Sequence, residues 1–331
     1  MSKKKPAAPK EKRLLSNKQL TLISIILASI IIIGSVLSFM LLQTPNKFSL
    51  NAIVVDQLGD NSSNPEFVAN VTDILNATGF KVTYYESKDV NVPFFSGLAK
   101  GNYGIIILRA HSALRIDGSA IDFFTSEEFA WNKYSQMVDD GLLTRGNYSW
   151  ETGKYYFAIT PKFIENLEGR FPRSLVIAMG CWSLKQGCEG MADAFMRKDA
   201  TAYVGWSEEV DIGHSDNETI KLLRLLLEEN KTIASAVGSI APDLVFGSVM
   251  GYYPKTDAVS SLKISDLIAE AKVSSSLQGA ATSLKPVLVC LVSSVSISLK
   301  MRKSLRFGLS TTSNVVRRSH KAGCEESHRS S

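Results

Sequence analysis

The chain has 331 residues, room for one large or two small domains, with a formal net charge of +5. Residues 1–48 carry eight Lys/Arg against one Glu, residues 273–331 carry nine against two, and the stretch between keeps 20 basic against 29 acidic residues. A nucleic-acid binder carries its basic excess on the folded domain, so this distribution argues against that class. The four cysteines (Cys181, Cys188, Cys290, Cys324) include no CxxC pair, which argues against a zinc signature or a disulfide scaffold.

Residues 1–19 form a basic stub, and Leu20–Leu42 follows with 23 residues and no charge. At about 1.5 Å per residue that run is long enough for a hydrocarbon core of about 30 Å. A cleaved signal peptide has a shorter apolar region and a small-x-small site after it; here the run ends in Phe39-Met40-Leu41-Leu42-Gln43, so an uncleaved signal anchor is expected. Lys3, Lys4, Lys5, Lys10, Lys12, Arg13 and Lys18 precede the run, and only Lys47 closely follows it. Positive residues stay inside, which predicts a cytoplasmic N-terminus and an extracytoplasmic bulk in the cell membrane. Asn-x-Ser/Thr sequons at Asn61, Asn70, Asn76, Asn147, Asn217 and Asn230 all fall on that predicted outside, as in a glycoprotein.

Residues 49–272 alternate strand and helix. Leu50–Val55 predicts a buried strand. Asn64-Pro65 predicts a helix start, with Phe67, Val68, Val71, Ile74 and Leu75 at helical spacing and Gly79 as the stop. Phe80–Tyr85 predicts a second strand, Val92–Leu98 a short apolar segment, and Gly104–Ala110 the strongest strand of the chain. An insertion over 117–169 is rich in aromatics, among them Phe123, Phe124, Trp131, Tyr148, Trp150 and Phe157. It reads as a helical part, a hairpin around Asn147–Lys154 and a short helix from Pro161. It is either an elaboration with its own small core or a wall of a substrate cleft. Ser174–Met179 and Thr201–Trp206 predict two further strands, with a helix over Met191–Met196 between them and Asp193 on its surface. Asp216 is expected to cap a long amphipathic helix through Leu222, Leu223, Leu226 and Leu227. Fully apolar strands alternating with helices predict an α/β fold whose mainly parallel sheet is covered on both faces. Residues 273–331 are Ser-rich and basic, expected disordered or peripheral; Pro286–Leu299, at 14 residues with four serines, is short for a second span. An altered reading frame is a third source of such a composition.

In such a sheet chemistry gathers at the carboxyl ends of the strands. His111 ends the strong strand and Cys181 ends the next, so imidazole and thiol are expected to face one crevice, the arrangement that activates a thiol. A disulfide between Cys181 and Cys188 would remove that nucleophile. His214 is a lesser rival for the base.

The segments Leu108-Arg109-Ala110-His111-Ser112 and Ala178-Met179-Gly180-Cys181-Trp182-Ser183 resemble the caspase-like (clan CD) cysteine peptidase superfamily, which takes in caspases, legumains, gingipains and CHAT-domain proteases. Its members carry a strand ending in His and a later strand ending in Cys. Gly190–Trp206 looks like the helix and strand that follow the nucleophile in CHAT and gingipain-type members. The resemblance covers roughly residues 50–227 and departs at Ser112, where the family usually has glycine. It implies a caspase-like ectodomain behind one transmembrane helix, and hydrolysis of peptide bonds in a peptide or protein substrate. Cys181 would be nucleophile and His111 acid/base, the N–H groups of Ser112 and Cys181 would form the oxyanion hole, and no metal or cofactor is needed. Two other readings remain: an inactive caspase-like module binding a cell-surface partner through the aromatic insertion, and a metal site of His111, Cys181 and His214. Acids near strand ends (Asp56, Asp60, Glu208, Glu209 and Asp211) carry the expectation of a basic residue before the scissile bond.

Overall fold

A computed structural model describes residues 24–26, 28–32, 34–35, 47–274 and 276. The described residues of the Leu20–Leu42 run are helical, with Ile25, Ile26, Ile30, Ile31 and Ile32 exposed; the rest of the run lies outside the described residues. Among the described residues no helix is long and apolar enough to cross a membrane. The basic stub, Pro286–Leu299, Cys290 and Cys324 also lie outside them.

The fold is mixed α/β with a mainly parallel main sheet. Strand β1 (Asn51–Asp56) leads to helix α1 (Pro65–Ala77), then to β2 (Lys81–Tyr85), α2 (Val92–Gly97) and β3 (Ile105–Arg109). Asn64 caps α1 by accepting the Phe67 N–H at 3.0 Å, Pro65 fills a position that needs no donor, and Gly79 ends the turn at φ +95°. The apolar segment after β2 is helical because Asn91 accepts the Phe94 N–H at 2.9 Å and Pro93 occupies the second helical position, where no donor is needed.

The insertion is mostly sheet. Strands β4 (Ser112–Leu114), β5 (Ile121–Glu128), β6 (Leu143–Gly146) and β7 (Tyr156–Ile159) form an antiparallel sheet in the order β4-β5-β7-β6. The helical part expected there is β5, apart from the five-residue α3 (Ser135–Asp139). Its pattern has period two: Phe123 enters the main core while Phe124 points to the other face with Tyr148 and Ala158. The expected hairpin is present as β6 and β7 joined through residues 147–155, and α4 (Pro161–Glu165) starts at Pro161.

The chain then returns to the main sheet through β8 (Leu175–Ala178), α5 (Gly190–Arg197), β9 (Ala202–Trp206), α6 (Ile212–Leu223), α7 (Ile233–Val237), β10 (Met250–Tyr253) and α8 (Asp257–Ser260). The strand order is β10-β9-β8-β3-β1-β2, parallel except for β10. Alternate residues divide the core. Ala52, Val54, Ile105, Ile107, Leu175 and Ile177 pack with α1 and α6 on one face. Ile53, Val55, Ile106, Leu108, Val176 and Ala178 pack with α2, α4 and α5 on the other. Burial on both faces is why these strands read as unbroken apolar runs.

Asp216 does not cap α6, as the sequence pattern led one to expect. Asp211 does, accepting the His214 N–H at 2.9 Å, while Asp216 is 1% exposed inside the helix. On α5, Asp193 accepts a 2.6 Å hydrogen bond from the Tyr253 hydroxyl.

Candidate active site

The chain leaves β1 in one direction, to β2, and leaves β3 in the other, to β8 and β9, so the sheet's topological switch lies between β1 and β3. Asp56 and Arg109 are register partners there, one at the end of each strand. Arg109 is 1% exposed, and its guanidinium donates to Asp56 at 2.6 Å, to both oxygens of Asp216 at 2.8 and 2.9 Å, and to the Ser62 carbonyl at 2.8 Å. Asn64, the cap of α1, donates to Asp216 at 2.8 Å as well. The network fastens β1, β3, α1 and α6 together directly beneath His111.

His111 lies two residues past β3. Its backbone N–H donates to Gln57 Oε1 at 2.9 Å, and Gln57 Nε2 donates to the Tyr148 hydroxyl at 2.7 Å. The imidazole stands edge-on to Phe124, Tyr148 and Trp150, with ring centroids 4.8, 4.9 and 5.8 Å away. Phe124 on β5 and Tyr148 and Trp150 from the segment after β6 therefore surround it with aromatic edges, and Phe124, Tyr148 and Ala158 give the insertion a small core of its own. Burial disfavours the imidazolium and pushes the His111 pKa down to about 4.

Cys181 follows β8, the neighbour of β3. Ser112 Oγ donates to its carbonyl at 2.6 Å, and its Sγ lies 3.8 Å from the Val210 carbonyl. The approach of the two turns depends on Gly180: a Cβ there would sit 2.2 Å from Ser112 Oγ and 2.4 Å from the Ala110 carbonyl oxygen. Trp182 holds φ at +53° just after the cysteine, which turns the chain sharply away from the strand. Burial raises the Cys181 thiol, and the charges of Glu209 and Asp243 push the same way; the Val210 carbonyl contact opposes them. Thiol and imidazole are thus both favoured in their neutral forms.

His111 and Cys181 line one small pocket of about 20 Å³, whose lining also includes Leu58, Gly180, Val210, Ser215 and, from the buried network, Arg109 and Asp216. Ser112 is fully buried beside this pocket's Gly180, and its N–H faces away from β5. The Phe124 N–H bonds the His111 carbonyl and the Arg115 N–H bonds the Ala120 carbonyl. In an antiparallel ladder bonded and non-bonded pairs alternate, so Ser112, opposite Phe123, is in a non-bonded pair and its N–H points away from β5.

The five expected substrate acids are scattered. Asp56 is committed to Arg109 and also accepts the Tyr84 hydroxyl at 2.9 Å. Asp60 and Asp56 line a different surface pocket, of about 490 Å³, with Asp73 and Glu86. Glu208 accepts from Lys185 Nζ at 2.8 Å and from Trp182 Nε1 at 3.1 Å, and Asp211 caps α6. Glu209 is exposed, and its charge reaches Cys181. Cys181 and Cys188 are both free thiols. His214 packs on Trp206 and its Nε2 lies 3.1 Å from the Ala241 carbonyl. Among the described residues no three His, Cys, Asp or Glu gather to hold a metal. Sequence reasoning missed Gln57, Arg109 and Gly180. The readable signal for Arg109 was a charge closing the apolar run Ile105-Ile106-Ile107-Leu108, which needs a buried counter-charge.

No protein-family model matches this chain. No curated protein matches it. Among solved structures it is similar to the Arg-specific cysteine proteinase gingipain R, at a TM-score of 0.35 and 12% identity, over 56% of this chain. The chain spans 38% of that protein's length, and the likeness is too slight to assign a site.

Proposed function

We propose that this chain is a membrane-anchored, extracytoplasmic cysteine peptidase of caspase-like fold, with Cys181 as nucleophile and His111 as acid/base. The observation that carries the reading is the pocket shared by His111 and Cys181 at the carboxyl ends of adjacent parallel strands. The Cys181 sulfur attacks the scissile carbonyl carbon as its proton passes to the neutral His111 imidazole. The resulting imidazolium returns that proton to the leaving amine as the C–N bond breaks, leaving a thioester. Water, deprotonated by the same imidazole, then hydrolyses the thioester and restores the thiol. The N–H groups of Ser112 and Cys181 bind the oxyanion, and the Ser112–Cys181 hydrogen bond fixes their spacing. Glu209, the acid of the five whose charge Cys181 feels, is the counter-charge for a basic substrate residue. The anchor is Leu20–Leu42, supported by its charge-free length and the basic residues before it. Exposed asparagines at five of the six sequons (Asn61, Asn76, Asn147, Asn217 and Asn230) support a glycosylated exterior.

An electrophilic peptide carrying a fluorogenic or affinity tag tests the chemistry. Wild type and Cys188→Ala should be labelled and should cleave basic peptides; Cys181→Ala and His111→Ala should do neither. Glu209→Gln should lower kcat/KM for basic substrates about tenfold. Labelling that survives in Cys181→Ala would remove the peptidase reading. The second reading, an inactive module binding a partner through the insertion, draws on Trp131 and Trp150, which are 72% and 62% exposed. It predicts binding without labelling.

A further inference from the structure

The loop between α7 and β10 exposes three consecutive apolar residues. Leu244 is 92% exposed, Val245 75% and Phe246 46%. Contiguous exposed apolar surface on a soluble domain marks a place where something binds. This tip is also held rigidly. Asp243 is 1% exposed, and its carboxylate accepts the Val245 and Phe246 N–H groups at 2.7 and 3.2 Å and the Asp211 N–H at 2.6 Å. Ser248, fully buried, accepts the Glu208 N–H at 3.0 Å, and its own hydroxyl donates to the Glu208 carbonyl at 3.2 Å. Gly247 supplies the positive φ that closes the turn.

The anchoring points lead to the cysteine. Asp211 follows Val210, whose carbonyl meets Cys181 Sγ and whose side chain lines the His111–Cys181 pocket. Glu208, the other anchor, accepts the Trp182 N–H at 2.8 Å, one residue past the nucleophile. In the strand order the loop stands on the β9–β10 side of β8, whereas Tyr148 and Trp150 stand against His111 on the β3 side. Two short hydrogen-bonded links, through Asp211 and through Glu208, thus join the base of the tip to the backbone beside Cys181. A lipid surface is a poor occupant. The tip sits at the carboxyl end of β9, the opposite end of the sheet from Asn51, where the chain enters it. Glu209, exposed beside the tip's anchor Glu208, also repels anionic headgroups.

We propose that Leu244, Val245 and Phe246 form a specificity element that receives a bulky apolar side chain of the peptide whose scissile bond lies at Cys181. This rests on the peptidase reading above. The rigid mounting is the reason for the assignment: a preformed apolar surface loses little freedom on contact, so its exposed area converts to selectivity.

The full-length protein and a Leu244→Ser/Val245→Ser/Phe246→Ser variant should be compared on peptides carrying either leucine or serine at each position flanking the scissile bond. Wild type should favour leucine at one position by about tenfold or more in kcat/KM. The variant should lose that preference, cleave the serine peptide at an unchanged rate, and retain wild-type alkylation of Cys181 by iodoacetamide. A variant that keeps the preference overturns the proposal. So does one that loses both peptides equally, because that is a structural role. Sedimentation velocity adds a further outcome: a dimer that dissociates in the variant assigns the tip to a second copy and overturns the substrate assignment. A wild type that cleaves no peptide and takes no electrophilic label defeats the peptidase reading itself, a result distinct from cleavage that ignores the loop.

Discussion

At the scale of single residues, the site is governed by burial. A neutral imidazole and a raised thiol mean that Cys181 does not rest as a thiolate, so its proton must move during attack. Alkylation of Cys181 by iodoacetamide, followed by mass spectrometry, should accelerate with pH beyond the range of a free cysteine, about 8.5. A rate that levels off below about pH 7 would mean a resting ion pair and would contradict this. His111 also links stability to pH. Its folded pKa, about 4, lies below its ordinary value of 6.5, so the unfolded chain binds the extra proton between them. The contribution is complete above the unfolded value and is lost as pH falls toward the folded one, about 3 kcal/mol in all. Urea unfolding of His111→Gln should accordingly show a shallower loss of stability across that window than wild type. Arg109 is the structural counterpart. Arg109→Ala strands Asp56 and Asp216 in the core and should cost about 3–5 kcal/mol. The apolar run before Arg109 hinted at this pairing in the sequence, but its partners did not show, because Asp216 lies 107 residues away and only packing of α6 on the sheet brings it there.

At the scale of elements, the sequence was most readable where local chemistry decides the outcome. Asn64-Pro65 and Gly79 bound α1 as expected, because a cap and a positive-φ glycine act within one turn. The start of α6 was misplaced because two aspartates five residues apart both resemble caps, and the difference is tertiary. Asp211 caps while Asp216 is drawn inward by Arg109. The substitutions should separate the roles: Asp211→Ala should cost about 1 kcal/mol as a lost cap, and Asp216→Ala about 3–5 kcal/mol as a broken buried pair. Equal losses would show that the distinction is false. Gly180 offers a second comparison between elements. Gly180→Ala places a methyl against the Ala110 carbonyl and Ser112, forcing the turns that carry His111 and Cys181 apart. It should cost about 1–3 kcal/mol and reduce peptide labelling of Cys181 more than iodoacetamide labelling, since the small reagent does not need the oxyanion geometry.

At the scale of the whole molecule, the expected topology is a cytoplasmic N-terminus, a span at Leu20–Leu42 and a domain outside. Protease added to intact cells should digest the region after Phe48 and spare an N-terminal tag, and removal of residues 1–46 should release the protein from the membrane fraction. An N-terminal tag reached by external antibody would reverse the orientation. The sequence by itself determined the α/β class, because strands buried on both faces must be apolar throughout. It also set the order in which His111 and Cys181 close their strands, because chain order is all that this requires. It did not determine what surrounds them. The aromatic box of Phe124, Tyr148 and Trp150, the Arg109 network and the loop at Leu244–Phe246 come from chain segments far apart in sequence. Their meeting is set by strand order and by helix packing on the sheet, and no local pattern encodes either.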